Sequence, residues 1–136
     1  MDYMGFHEDE EYQVSGLHFI WDKAKNQYNI QTHGVDFKTA ALVFNDDYCL
    51  INDDYDHSDG EIRESITGQP VDPDDRTDVP GIGSIPRAII GEVDNVLFVV
   101  YTVRGYDGEE VFRIISARKA DDDEKAMYET LKYDTI

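Results

Sequence analysis

The stretch Leu17-His18-Phe19-Ile20-Trp21 reads as a short strand with Phe19 and Trp21 on one face. Asp22 is placed to cap a helix that runs from Lys23 to His33, and Gly34 follows where a left-handed residue closes a helix. Asp36 caps a second helix, in which Phe37, Ala40, Ala41 and Phe44 recur at i, i+3, i+4 and i+7, an apolar stripe that belongs against a sheet. Tyr48-Cys49-Leu50-Ile51 reads as a strand. Residues 62–86 hold all four prolines and several glycines, the pattern of a long irregular excursion. Strand character resumes at Arg87-Ala88-Ile89-Ile90-Gly91. Val96–Thr102 is nearly continuous in apolar residues, as in a central strand covered on both faces. Val111–Arg118 is the last strand. Asp121 with Glu124 three residues later opens a terminal helix lined by Met127, Tyr128 and Leu131.

The pattern predicts an α+β fold in the order β-α-α-β-β-β-β-α: an antiparallel sheet with two N-terminal helices and a C-terminal helix packed on it. At 136 residues one domain is expected, over 17–136, preceded by an acidic arm at 1–16 with a short ordered piece near Tyr12–Val14. The irregular stretch at about 62–86 is an insertion in that domain.

Composition then narrows the function. Thirty acidic residues against twelve basic ones give a net charge of −18. That charge favours solubility and repels nucleic acid at long range. An acidic surface also suits a salt-rich cytoplasm, where at about 1 M salt the screening length falls to roughly 3 Å and the repulsion fades; a plain solvated surface explains it equally well. The single cysteine, Cys49, allows no internal disulfide and reads as a small apolar residue. No apolar run approaches the roughly 18 residues that span a bilayer, and no signal peptide is visible, so a cytoplasmic location and no membrane partner are expected. Dinucleotide and nucleotide loops and paired metal-ligand spacings are missing from the sequence. Asp53, Asp54, Asp56, His57, Asp59 and Glu61 fail the EF-hand template, because Tyr55 and His57 fall on ligand positions and Ile66 on the final Glu. A structural turn is the expected role of that stretch. No metal and no cofactor is expected.

Several blocks in order resemble one family. Phe19-Ile20-Trp21-Asp22-Lys23-Ala24-Lys25-Asn26, Asn29, His33-Gly34-Val35, Phe37, Ala40 and Val43-Phe44 are similar to the opening of the BrnT toxins. Asp56–Glu61 resembles the central turn. Val99-Val100-Tyr101-Thr102 with Arg104, then Arg113–Ala120 and Glu124, resembles the closing segment. The resemblance implies a RelE-like fold and the toxin half of a type II toxin–antitoxin pair. It implies a ribonuclease neutralised by a BrnA-type antitoxin in a heteromeric complex, with DNA reached only indirectly through that antitoxin. The acidic arm and the insertion are additional to the family pattern. The family's arginine at the start of the third strand matches either Arg63 or Arg87, and Arg87 fits better because Ala88-Ile89-Ile90-Gly91 continues the pattern.

Metal-free RNA cleavage requires a base for the 2′-hydroxyl, cations for the crowded phosphate and an acid for the leaving oxygen. Lys25, Asn29 and His33 recur every four residues along one helical face, and imidazole titrates near neutrality. With the guanidinium groups of Arg87 and Arg118 they form a candidate site: His33, Lys25, Arg87 and Arg118 as catalytic residues, Asn29, Arg104, Lys119 and Trp21 as RNA-binding residues. Arg113 and Arg118, an odd number apart on one strand, are expected on opposite sheet faces, with Arg118 at the site. Each residue also has a plainer role. His33 can cap the helix end, Lys25 and Asn29 can be solvated helix positions, Arg104 can balance hairpin acids, and Trp21 can be core. A second function class follows from the charge: a binding module that kept the fold and lost cleavage.

Overall fold

The computed structural model describes residues 8–53, 62–90, 93–106 and 109–135. The acidic turn at 54–61 therefore lies outside the described residues. The architecture is α+β with a mixed sheet. Two strands open it, β1 (Asp9–Val14) and β2 (Leu17–Asp22), followed by helices α1 (Lys23–His33) and α2 (Phe37–Ala41) and a 3-10 turn at Leu42–Asn45. Then come β3 (Leu50–Asp53), β4 (Ile62–Gly68), a hairpin of β5 (Arg76–Val79) and β6 (Gly83–Pro86), and a helical turn α3 (Arg87–Ile90). β7 (Leu97–Tyr106), β8 (Glu109–Lys119) and α4 (Asp122–Thr135) complete the chain. Six strands form one sheet in the order β1-β2-β8-β7-β4-β3, in which only the β2–β8 pairing is parallel; β5 and β6 pair with each other.

The helix signals in the sequence act as read. The Asp22 side chain accepts from the Ala24 N–H at 2.9 Å, and Gly34, at φ 71°, donates its N–H to the Ile30 carbonyl. Asp36 accepts from the Lys38 N–H at 3.0 Å. Asp121 and Glu124 bond each other's backbone N–H at 2.8 and 2.9 Å, the reciprocal box that starts α4.

The expected order needs correction in three places. Two strands, not one, precede α1, because Asp9–Val14, expected to belong to an acidic arm, pairs antiparallel with β2 through a two-residue turn. Ser15 and Gly16 both have positive φ there, 54° and 78°, the geometry that matches strand twist in a tight hairpin. The segment at 62–86 is not irregular: β4 pairs with β7 along its whole length, and the prolines follow it. Arg87–Ile90 is a helical turn rather than a strand, since a short apolar run carries no period that separates the two.

The core lies between the sheet and the α1–α2–3-10 segment. Phe19, Trp21, Val35, Phe37, Ala40, Ala41, Val43, Ile66, Leu97, Val99, Tyr101, Ile114 and Ala117 are buried in one cluster. Phe44 sits edge-on to Phe19 and to Tyr101, each with ring centroids 4.9 Å apart. α4 packs against β4 and is pinned by a buried polar network. Asp46, 3% exposed, accepts from the Tyr48 and Gln69 N–H groups at 2.9 and 2.8 Å and from the Tyr128 hydroxyl. Lys132, also buried, donates to Gln69 at 3.0 Å. Burial lowers the Lys132 pKa, while burial and Asp46 together raise that of Tyr128.

Candidate nucleic-acid interface

Strand alternation divides the sheet into two faces. Phe19, Trp21, Ile114, Ala117, Leu97, Val99, Tyr101 and Ile66 point to the helices. The residues between them point the other way, and cross-strand registers arrange them in rows. One row runs His18–Val111–Arg104, and the next runs Ile20–Arg113–Thr102–Arg63. A third position along, Arg118 pairs with Phe98 and lies over its ring at 4.4 Å from the centroid.

Arg113 and Arg118 share this face, contrary to the sequence expectation. The β7–β8 register shifts between Val100 and Tyr101: Ser116 faces Val100 and Ile114 faces Tyr101, leaving Ile115 as a bulge. One extra residue restores the parity that an odd spacing breaks. Four of the six arginines in the chain (Arg63, Arg104, Arg113 and Arg118, against Arg76 and Arg87) therefore lie on one sheet face.

Carboxylates meet these cations. Arg113 forms a fork with Asp9, its nitrogens 3.0 to 3.3 Å from the two oxygens. Arg118 forms another with Glu124 at 2.8 and 3.0 Å, a contact that raises the guanidinium pKa further. His18 Nε2 lies 3.0 Å from Glu11. Asp9 and Glu11 both come from β1.

The residues singled out in the sequence do not converge. Trp21 is 1% exposed in the core and donates its indole N–H to Glu10 at 2.8 Å, so it offers no stacking surface. Asn29 is buried. It donates to the carbonyls of Val35 and Ala117 and accepts from the Ala117 N–H, which commits its amide to the fold. Lys25 is exposed and shares a cleft of about 150 Å³ with Asp22, Arg113, Ile114 and Ile115. His33 is exposed at the end of α1, on the helix side of the sheet, whereas Arg118 lies on the opposite face. Lys119 borders a hollow of about 620 Å³ next to Gly34, lined also by Lys125 and by Asp36, Asp94 and Asp122. Arg87 belongs to the β5–β6 unit, paired with Asp75 at 3.1 Å and with the Arg76 carbonyl. Of the set, Arg104 and Arg118 lie on the arginine face, and Lys25 joins Arg113 beside it.

A family model described as a ribonuclease toxin, BrnT, of type II toxin–antitoxin systems matches residues 21–76. The resemblance is to BrnT. No curated relative matches the chain. The BrnT match runs from the end of β2 through α1, α2, β3 and β4, and so includes Arg63. Arg104, Arg113 and Arg118 lie beyond it, on the strands that β4 pairs with. The family description is of a ribonuclease toxin from a toxin–antitoxin pair. It does not identify a site.

Sequence alone offers Arg63 only as the alternative to Arg87, and it does not single out Thr102 or His18. Arg63 stood in a segment read as irregular, and Thr102 in a strand read as covered on both faces. The signal for them was parity: once β4 is a strand, Arg63 alternates with the buried Ile66 side. Among the described residues no group of three or more His, Cys, Asp or Glu side chains is placed to hold a metal, and no helix is long and apolar enough to cross a membrane.

Proposed function

We propose that this chain is the toxin of a type II toxin–antitoxin pair and cleaves RNA on the sheet face that carries Arg63, Arg104, Arg113 and Arg118. The observation that carries this reading is the gathering of four of six arginines on one face of a molecule with net charge −18. A local positive field inside an acidic envelope is what phosphate capture requires. Guanidinium groups supply the cations that stabilise a crowded phosphate, so the reaction we propose is metal-independent attack by the RNA 2′-hydroxyl. His18, oriented by Glu11, stands on the same face as a proton-transfer group, and Lys25 flanks Arg113. This assignment replaces the quartet of His33, Lys25, Arg87 and Arg118. A RelE-like relationship and neutralisation by a BrnA-type antitoxin, which carries any DNA contact, follow from the BrnT resemblance.

A second reading is an inactive binding module, favoured by the carboxylate forks on Arg113 and Arg118. One experiment separates the two. The purified chain is incubated with single-stranded RNA, with chelator, at about 0.5 to 1 M salt, where long-range repulsion is screened. Cleavage leaving a 2′,3′-cyclic phosphate is expected, with Arg113→Ala slower by about a hundredfold and His33→Ala within about twofold. RNA binding without cleavage in all three proteins would establish the inactive module.

A further inference from the structure

The Arg63–Thr102–Arg113 row contains a polar atom left over by the fold. Thr102 is 8% exposed, and its hydroxyl has no hydrogen-bond partner among the described residues. Its two cross-strand neighbours on that face are Arg63 and Arg113. Direct neighbours across strands have Cβ atoms about 5 Å apart, a distance that one tetrahedral anion can bridge. Beside this hydroxyl, Arg113 is held by Asp9 in a fork with contacts of 3.0, 3.2 and 3.3 Å. A guanidinium makes the same fork with phosphate oxygens.

Asp9 arrives from β1, which pairs only with β2 at the edge of the sheet. Two residues along the same strand face, Glu11 meets His18, and just before β1 Glu8 lies 3.3 Å from Lys23. The acids of this edge strand thus fall on the cations of its neighbours.

We propose that Arg113 and the Thr102 hydroxyl form a site for a single phosphate group, and that Asp9 is a tethered carboxylate occupying the Arg113 half of it in cis. The hydroxyl donates to one phosphate oxygen and the guanidinium to two others, once Asp9 gives way. This inference rests on the RNA-surface reading for its ligand in the cell, but its measurement needs no cleavage.

The full chain is titrated with inorganic phosphate and, separately, with a nucleoside 3′-monophosphate at low salt, following the Arg113 side-chain N–H and Thr102 methyl resonances. Asp9→Asn is expected to tighten binding by about three- to tenfold, whereas Asp123→Asn, an equal charge change on α4, alters it by less than about twofold. In the Asp9→Asn background, Thr102→Val weakens binding by about threefold and Thr102→Ser retains it. A gain for inorganic phosphate equal to that for the nucleotide assigns the site to a free anion, and a larger gain for the nucleotide assigns it to a nucleic-acid phosphate. The proposal is overturned if Asp9→Asn and Asp123→Asn behave alike, if Thr102→Val matches Thr102→Ser, or if neither ligand moves Arg113. A chain that binds phosphate here but cuts no RNA loses only the ribonuclease reading. A chain that cuts RNA without an Arg113 response loses only this site.

Discussion

Asn29 on α1 clasps the backbone of Ala117 on β8 in both directions, donating to its carbonyl at 2.7 Å and accepting from its N–H at 3.1 Å. The pairing occurs where β2 has turned into α1 and no longer covers β8, so a side chain takes the place of a neighbouring strand. Replacing Asn29 with Ala leaves two backbone groups of Ala117 and the Val35 carbonyl without this partner. Each such group costs about 1–3 kcal/mol when buried, so a loss of roughly 3–5 kcal/mol is expected in urea unfolding, with the slope unchanged.

Tyr128→Phe is expected to cost about 2 kcal/mol. The ring stays, but the buried Asp46 loses the hydroxyl that closes its hydrogen-bond set. The same unfolding experiment reads it, and Tyr133→Phe, at an exposed position of α4, serves as the neutral control.

Glu124→Ala removes one partner of the reciprocal box at the start of α4 and the fork on Arg118 together. A loss of about 1–2 kcal/mol is expected, with frayed helix seen as faster amide exchange in the first turn of α4. Glu124→Gln should keep the box and recover part of it.

Stability should fall above pH 9. Burial and then Asp46 push the Cys49 thiol from 9.0 up to about 11, and Tyr101 and Tyr128 are raised as well, chiefly by burial. A group whose folded pKa is raised contributes stability that is complete below its unfolded pKa and is lost as pH climbs through the folded value. For Cys49 that window is pH 9 to about 11. Lys132, lowered by burial, acts with the opposite sign and gives back some stability as it approaches its ordinary value. Thermal unfolding of Cys49→Ala across this range should show a shallower decline than the parent; an identical slope would mean that folding does not shift the thiol's titration.

The local signals in the sequence were accurate because they depend on neighbours: Asp22, Gly34, Asp36 and the Asp121–Glu124 pair each act within a few residues. The Phe37–Phe44 stripe and the Val96–Thr102 run marked the core for the same reason. What failed depended on distant partners. Asp9–Val14 reads as an acidic arm until β2 supplies a pairing edge. Ile62–Gly68 looks polar because Glu64, on the core side, is satisfied by the Tyr101 hydroxyl at 2.8 Å. The Ile115 bulge leaves no composition signal at all, yet it decides which arginines share a face. A site assembled from four strands was therefore out of reach of spacing along one helix.

RNA affinity should rise with salt before it falls. A net charge of −18 repels the polyanion over a Debye length of about 30 Å at 0.01 M, while the arginine face acts at contact distance. Fluorescence anisotropy with a short oligonucleotide should show a maximum at a few tenths molar. A monotonic decline from the lowest salt would mean that the global charge does not govern approach.

The β1 border of the six-stranded sheet is acidic over its first three residues. β1 carries Asp9, Glu10 and Glu11 along one rim, and β3 ends in Asp53 on the other. Open rims invite other strands to add on, and like charges facing each other discourage this. Two copies meeting β1 to β1 would set these carboxylates against each other, which helps the protein remain dispersed when crowded.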